Sequence, residues 1–288
     1  MRGTIASFHN FPSRFVASRR IDVWLPPAAQ RAGGWRLPVV YAHDGQNLFF
    51  PTHSFLGIDW GLDEALACLA AAGKAAMAVG IWNTPARLQE YLPRKPLFIG
   101  PTSDPGAEAQ YGQEILSDAY LRFLTEELKP FVDASYPTLT DLRHTFLMGS
   151  SMGALISLYG LCEYPEVFGG AACLSTHWPA LGEKMLAYLA AALPPPGRHR
   201  IYFDHGTETL DAAYGAWQVR VDRLMCQAGY REGRDWITRV FPGAEHSERA
   251  WRARVHIPLT FLLSELEDCR AAEVANLESL RSGAGGRL

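Results

Sequence analysis

The chain has 288 residues, of which 48% are hydrophobic and 20% charged, and its formal net charge at pH 7 is -3. That length is sufficient for one sizeable domain with a large buried core. A net charge this small favours neither nucleic acid nor an anionic membrane surface as a partner. No run of about 20 apolar residues occurs, so we expect no membrane-spanning helix.

The amino-terminal stretch MRGTIASFHNFPSRF lacks the apolar segment of a secretory signal peptide. The five cysteines are widely spaced and include no Cys-x-x-Cys pair. A disulfide framework and a structural zinc site are therefore not expected. We expect a cytoplasmic protein whose cysteines are reduced.

Strand-like apolar segments alternate with helix-like segments along the chain. In chain order, the sequence predicts strands over 20–26 and 37–43, a helix over 59–73, a strand over 75–82, a long helix over 112–136 kinked at Pro130, a strand over 144–149, a helix over 152–164, a strand over 169–176, a helix over 183–193, a strand over 199–204, a helix over 211–229, a strand over 235–241 and a helix over 247–266. This alternation predicts an α/β fold with a mostly parallel central sheet.

The absence of internal repeats and obvious linkers favours a single domain over residues 1–266, followed by a polar, frayed or partly helical tail over 267–288. Within the domain, residues 83–111 contain five prolines and show neither a helical nor a strand period. A loop this long in a compact domain usually carries function. We therefore predict an active-site loop there.

The residues GSSMG, at 149–153, lie between a predicted strand and a predicted helix. Gly-x-Ser-x-Gly in that context is typical of the tight turn that raises a nucleophilic serine above the carboxyl edge of a sheet. The bare pattern is only modestly informative, and its alternative is a structural turn of small residues. The strand-to-helix context makes Ser151, and not Ser150, the candidate nucleophile.

A nucleophilic serine needs a base, and in this type of site the chain order is serine, acid, histidine. That order excludes the histidines before Ser151, and most later ones lie in or beside the predicted strands and helices. His246 lies in the loop between the last strand and the last helix, so it is the candidate base.

The acid is expected after the strand over 199–204, where three carboxylates compete: Asp204, Glu208 and Asp211. We favour Asp211, with Glu208 as the alternative. The structural alternative for Asp211 is that it caps the amino terminus of the following helix. The acid would hold the histidine tautomer and stabilise the imidazolium.

An oxyanion hole requires two backbone N–H groups. One is expected from Met152, the residue after the nucleophile, and the other from the loop after an early strand. The turn at Gly45–Gln46 would present the Gln46 N–H to the site. The alternative is an ordinary Asp-Gly turn.

These motifs resemble the family described as "putative esterase" (esterase D-like) within the α/β-hydrolases. The segments that carry the resemblance are HDGQNLF, GIWNTPARLQEYLP, ELKPFVDASYPT, GSSMGALISLYGLCEYPEVFGGAACLSTHW, IYFDHGTETLD and GAEHSERAWRARVHIPLTFLL, within about residues 15–265. The resemblance implies an α/β-hydrolase sheet with helices on both faces, a Ser-acid-His triad and no metal or other cofactor. It also implies that Ser151 is the nucleophile, that His246 is the base, and that Gln46 and Met152 are the oxyanion donors.

One position departs from the family pattern. Many members place an aspartate three residues after the glycine of the Gly-Thr turn, and here Thr209 occupies that position. The acid is thereby left to Glu208 or Asp211, and some relatives work as a dyad.

Residues at the carboxyl ends of strands are candidates for the substrate pocket, because ligands bind there in open α/β sheets. We assign Trp178, Trp82, Arg87 and Asp44 to this pocket. The alternative to a pocket role for Trp178 is that it is an aromatic residue packed at the end of a strand. Arg87 is suited to bind a substrate carboxylate or phosphate, whereas an Arg87–Glu90 ion pair that holds the loop is the favoured structural explanation.

Together these features predict a serine carboxylesterase that acts on a small or moderate-sized ester through an acyl-enzyme. An acyltransferase to a sugar or other alcohol is the first alternative, and a catalytically inactive binding member of the fold is the second.

Overall fold

The computed structural model of the protein describes residues 3–27, 36–99 and 114–264. The strands in these residues are β1 (Thr4–Phe11), β2 (Arg19–Leu25), β3 (Val39–His43), β4 (Met77–Ile81), β5 (Thr145–Ser150), β6 (Gly170–Leu174), β7 (Arg200–Gly206) and β8 (Trp236–Phe241). They form one sheet of order β1-β2-β4-β3-β5-β6-β7-β8.

The strands from β4 to β8 in that order pair in parallel, while β1 and β2 run antiparallel at one edge. The carboxyl ends of β3 to β8 therefore meet at one edge of the sheet, where α/β folds place their ligand sites. The expected α/β-hydrolase fold, with its mostly parallel sheet, is confirmed. β1 is a half-exposed edge strand that the sequence did not predict.

Helices cover both faces of the sheet. They are α1 (Leu62–Ala71), α2 (Arg87–Tyr91), α3 (Ser117–Arg122), α4 (Lys129–Ser135), α5 (Met152–Glu163), α6 (Glu183–Ala192), α7 (Gly215–Gln227), α8 (Glu248–Arg254) and α9 (His256–Leu262). Successive side chains of a strand point to opposite faces. Val39 and Tyr41 accordingly pack in the layer that contains α5, α6 and α7. Val40 and Ala42 pack in the layer that contains α1, α8 and α9.

Two predicted helices differ in detail from the structure. The long helix starts at Ser117, and it contains a π-helical segment, Phe123–Leu128, directly before Pro130 and α4. Proline lacks an N–H donor, so regular hydrogen bonding cannot continue through it. The last helix is interrupted at Val255, between α8 and α9.

The predicted loop over 83–111 is partly helical, which corrects the prediction that it has no regular structure. It contains α2 and a 3₁₀ turn, Lys95–Phe98. Its remaining part from residue 100 onward lies outside the described residues, as does the predicted tail over 267–288. The division into one domain and a tail stays a prediction.

None of the helices within residues 3–27, 36–99 and 114–264 has both the length and the apolar composition needed to span a bilayer. The compartment in which the protein works stays a prediction.

Candidate active site

Ser151 lies in the turn between β5 and α5 and has a strained backbone. Its φ of 57° and ψ of -118° are rarely adopted by any residue except glycine. A Cβ atom added to Gly149 would lie only 2.5 Å from the Gly153 carbonyl oxygen, so glycine is required where the chain folds back. The Ser151 N–H donates to the Leu174 carbonyl at the end of β6 (2.9 Å). This turn raises the serine at the carboxyl edge of the sheet.

His246 and Asp211 meet at the same edge, after β8 and β7. The His246 Nδ1 atom lies 2.6 Å from Oδ1 of Asp211, and the two side chains are 10% and 0% exposed. The His246 backbone N–H donates to the Thr209 hydroxyl (2.8 Å). Its ring packs edge-on against Trp251, with 5.0 Å between ring centroids. The imidazole is thus fixed by contacts from several directions.

The Asp211 carboxylate accepts two more short hydrogen bonds. Its Oδ2 atom lies 2.6 Å from both the Ser175 hydroxyl and the Gly206 backbone nitrogen. Burial alone would raise the pKa of Asp211, but the hydrogen bonds from His246, Ser175 and Gly206 lower it below its ordinary value. A carboxylate with this environment is ionised at neutral pH and can stabilise an adjacent imidazolium.

Ser175 is a functional candidate that the sequence prediction missed. Its hydroxyl donates to Asp211 and accepts from the Trp251 indole (3.0 Å) and from Nη2 of Arg254 (2.9 Å). Arg254 also forms a bidentate ion pair with the buried Asp204, at 3.0 Å for each bond. The sequence offered one signal for Ser175, its position directly after the parallel strand β6, where ligand sites of α/β sheets lie.

The other two carboxylates considered as the acid lie elsewhere. Asp204 is engaged by Arg254 and by the Tyr202 hydroxyl (2.9 Å). Glu208 is exposed, and its carboxylate accepts a hydrogen bond from the Thr207 hydroxyl (3.5 Å). Asp211 itself lies inside the 3₁₀ turn Thr209–Ala213, so it is not the N-cap of α7.

The two candidate oxyanion donors follow adjacent parallel strands. Met152 is the first residue of α5, and Gln46 lies in the 3₁₀ turn Gly45–Asn47 after β3. The opening N–H groups of a helix have no acceptor within that helix. A Cβ atom at Gly153 would lie 3.5 Å from Oδ2 of Asp44, so the start of α5 packs directly against the turn after β3.

Asp44 and Arg87 form an ion pair beside this turn. The Arg87 Nε and Nη2 atoms lie 2.7 Å from the two carboxylate oxygens of Asp44, and Nδ2 of Asn83 adds a bond of 2.6 Å. The Asn83 N–H donates to the Gln46 side-chain oxygen (3.3 Å). These contacts tie the residues after β4 to the turn after β3.

The favoured Arg87–Glu90 ion pair is therefore wrong. Glu90 is paired instead with Arg19, at 2.6 Å, and both side chains are 1% exposed. Arg87 turns in the other direction, over the Tyr91 ring and towards Asp44. With its Nε and Nη2 atoms bound to Asp44, Arg87 is not a free cation in the cleft.

The two tryptophans differ in their surroundings. Trp178 is 2% exposed, packs against Phe203 and donates to Gln218 (3.2 Å), which favours the packing alternative over a pocket role. Trp82 is partly exposed and donates to Asp22 (2.7 Å). Its role in substrate binding stays a prediction.

Comparisons with known proteins agree with this architecture. A ferulic acid esterase superposes with a TM-score of 0.65 at 15% identity, over 92% of this chain and 100% of that one. The enterobactin esterase from Shigella flexneri superposes with a TM-score of 0.63 at 19% identity, over 91% of this chain and 59% of that one. At such identities the likeness shows the fold. The uncharacterized protein YbbA of Bacillus subtilis (strain 168) is 26% identical over 196 residues, which are 67% of this chain and 70% of that protein.

A family model described as "Putative esterase" matches residues 13–257. Fold and family model together define a carboxylic-ester hydrolase of the α/β-hydrolase type. The chain belongs to this esterase family, as its motifs had indicated.

Proposed function

We propose that the protein hydrolyses a small or moderate-sized carboxylic ester through an acyl-enzyme, with Ser151 as nucleophile, His246 as general base and Asp211 as the acid. One observation carries this proposal. The 2.6 Å hydrogen bond between His246 and Asp211 lies at the sheet edge where Ser151 adopts its strained conformation. This mechanism requires no metal or other cofactor.

Acylation begins when the Ser151 Oγ atom attacks the ester carbonyl carbon and His246 accepts its proton. Asp211 stabilises the imidazolium, and the N–H groups of Gln46 and Met152 donate to the oxyanion. His246 then returns the proton to the leaving alkoxide, and the carbon–oxygen bond of the ester breaks. In the second half a water molecule attacks the acyl carbon while His246 accepts its proton, the bond from that carbon to Ser151 Oγ breaks, and His246 returns the proton to Ser151 as the carboxylic acid leaves.

The nucleophile is tested with two neighbouring serines. We expect Ser151→Ala to lower kcat for 4-nitrophenyl acetate by at least about 10³-fold, as the loss of a nucleophile does. Ser150→Ala, which changes the preceding residue in β5, is the matched control and should stay within about threefold of the wild type. Wild-type turnover by Ser151→Ala would exclude the proposed mechanism.

The size of the ester is tested with a series of 4-nitrophenyl esters of increasing acyl length. We expect kcat/KM to be highest for short or intermediate acyl chains and to fall for long ones. A steady rise with chain length would indicate a lipid-like substrate and contradict the proposed size range.

A further inference from the structure

A second imidazole and a phenol lie beside the nucleophile, outside the triad. Tyr214 follows Asp211 by three residues and lies between its 3₁₀ turn and α7. The Tyr214 hydroxyl lies 2.5 Å from Nδ1 of His177. The His177 backbone N–H in turn donates to the Ser151 carbonyl (3.3 Å). The pair is therefore anchored to the nucleophile turn through the main chain.

The Tyr214 hydroxyl also lies close enough to the Ser151 side chain for that serine to influence the pKa of the phenol. The Tyr214 ring packs edge-on against the His246 ring, with 5.7 Å between centroids. Tyr214 thus approaches Ser151 from the side of the base. The candidate oxyanion donors, Gln46 and Met152, belong to the turn after β3 and the start of α5.

This position determines which atom of an ester Tyr214 would meet. The carbonyl oxygen turns towards the oxyanion donors, whereas the leaving oxygen turns towards the base that protonates it. A hydroxyl whose ring packs against His246, on the base side of Ser151, therefore meets the leaving oxygen.

We propose that Tyr214, oriented by His177, is a further catalytic residue that donates a hydrogen bond to the leaving oxygen of the ester during acylation. This inference rests on the proposed function. His246 still delivers the proton that the leaving oxygen takes as its bond to carbon breaks. Tyr214 keeps its own proton throughout, and its hydrogen bond strengthens as negative charge develops on that oxygen.

The protonation states of the pair are suited to this role. Burial, together with the nearby Asp211 carboxylate, raises the pKa of Tyr214, so its hydroxyl stays a donor at neutral pH. Burial, and after it the electrostatic influence of the neighbouring His246 and Arg87 side chains, lower the pKa of His177. A neutral imidazole that carries its proton on Nδ1 donates to the Tyr214 oxygen, which leaves the phenol proton for the leaving oxygen and adds no charge beside Ser151.

The dependence on the leaving group separates this role from a structural one. A donor to the leaving oxygen matters most for alcohols of high pKa, because their oxygen carries the most charge in the transition state. The experiment compares kcat/KM for acetate esters of 4-nitrophenol, phenol, trifluoroethanol and ethanol. We expect Tyr214→Phe to lower kcat/KM by at least about tenfold for the ethyl ester and by less than about threefold for the 4-nitrophenyl ester.

Two further variants complete the design. Tyr230→Phe removes a buried hydroxyl that donates to the Pro194 carbonyl (2.7 Å), so it is the matched control and should leave the slope of the series unchanged. His177→Ala should steepen the slope in the same direction as Tyr214→Phe, by a smaller amount. An unchanged slope in His177→Ala would overturn the orienting role of His177.

An equal loss across the whole series in Tyr214→Phe would overturn the catalytic role and leave Tyr214 as a packing residue. The proposed function fails by a different result, the retention of turnover by Ser151→Ala. Because that measurement uses a separate variant, the two failures are distinguishable.

Discussion

The two sides of the catalytic cleft are stabilised by ion pairs of different burial. On the side of the base, Arg254 and Asp204 are 3% and 0% exposed and support Ser175 beneath Asp211. On the oxyanion side, Arg87 is 29% exposed and its partner Asp44 is 6% exposed. In the proposed mechanism, the first pair supports a carboxylate whose charge takes part in proton transfer. The second supports a turn that contributes a backbone N–H.

This difference indicates how each side works. Proton transfer depends on the charge and direction of single atoms, and on the base side the Asp204 and Asp211 carboxylates are buried and each accept several hydrogen bonds. An N–H donor depends on the path of the backbone, which a partly exposed ion pair can hold. Variants on the base side should therefore change the chemistry and the stability, and variants on the oxyanion side should change mainly the rate.

The largest expected effect distinguishes the two acids that the sequence left open. Asp211→Asn should lower kcat by about 10³–10⁴-fold, because an amide beside Nδ1 favours the wrong histidine tautomer. Glu208→Gln is the matched control and should stay within about twofold, since Glu208 is exposed. Ester hydrolysis by both variants is the measurement. A large loss in Glu208→Gln with activity kept in Asp211→Asn would reverse the assignment.

Stability should separate the two ion pairs. Arg254→Met leaves Asp204 buried without its cation, and we expect a loss of about 3–5 kcal/mol in the free energy of unfolding. Arg87→Met should cost about 1–2 kcal/mol, because the Asp44 carboxylate keeps its bond from Asn83 (2.6 Å). Denaturant unfolding measures both values. Equal losses would show that the difference in burial has no energetic consequence.

Activity should respond to Arg87→Met although its stability changes little. Loss of the two bonds to Asp44 loosens the turn that carries Gln46, and we expect kcat to fall about tenfold with KM nearly constant. Arg220→Met, which breaks an exposed pair with Glu183, is the control and should keep the wild-type kcat. A change in KM alone would assign Arg87 to substrate binding.

A smaller effect should appear in the pH dependence of stability. The pKa of Asp211 is lowered in the folded protein, so its contribution to stability is present above the unfolded pKa and is lost as the pH falls through the folded pKa. Ser175→Ala removes one of the hydrogen bonds that lower this pKa.

Ser175→Ala should therefore be less stable than the wild type at about pH 7, and the difference in Tm should shrink towards about pH 3. Thermal unfolding at a series of pH values measures it. A difference in Tm that does not depend on pH would mean that Ser175 contributes packing alone.

The proposed catalytic residues differ in how far the sequence determines them. Ser151 and His246 could be proposed from the sequence because strand order and loop position follow from connectivity along the chain. The sequence left Asp211 and Glu208 as alternatives, since they lie three residues apart around one turn. In the structure Thr209, with its φ of 54°, turns the chain there, its hydroxyl accepts from the His246 N–H, and Asp211 is the carboxylate of the two that contacts His246.

The wrong pairing of Arg87 has a related cause. Glu90 is close along the chain and so was the expected partner. Asp44 is 43 positions away from Arg87, and the two residues meet because β3 and β4 pair in parallel. Ser175 was missed for the same reason, because Asp211, Trp251 and Arg254 surround it from distant segments. The local sequence pattern was sufficient to predict the strands and helices. The side-chain partners of Arg87 and Ser175 depend on contacts between distant segments of the chain.

The most direct test of the central claim is covalent labelling of the resting enzyme with a fluorophosphonate, followed by peptide mapping by mass spectrometry. An activated serine reacts with such a probe, and an ordinary surface serine does not. We predict one adduct, on Ser151, which is kept in Ser150→Ala and lost in both Ser151→Ala and His246→Ala. An adduct on another residue, or labelling that persists in Ser151→Ala, would contradict the account.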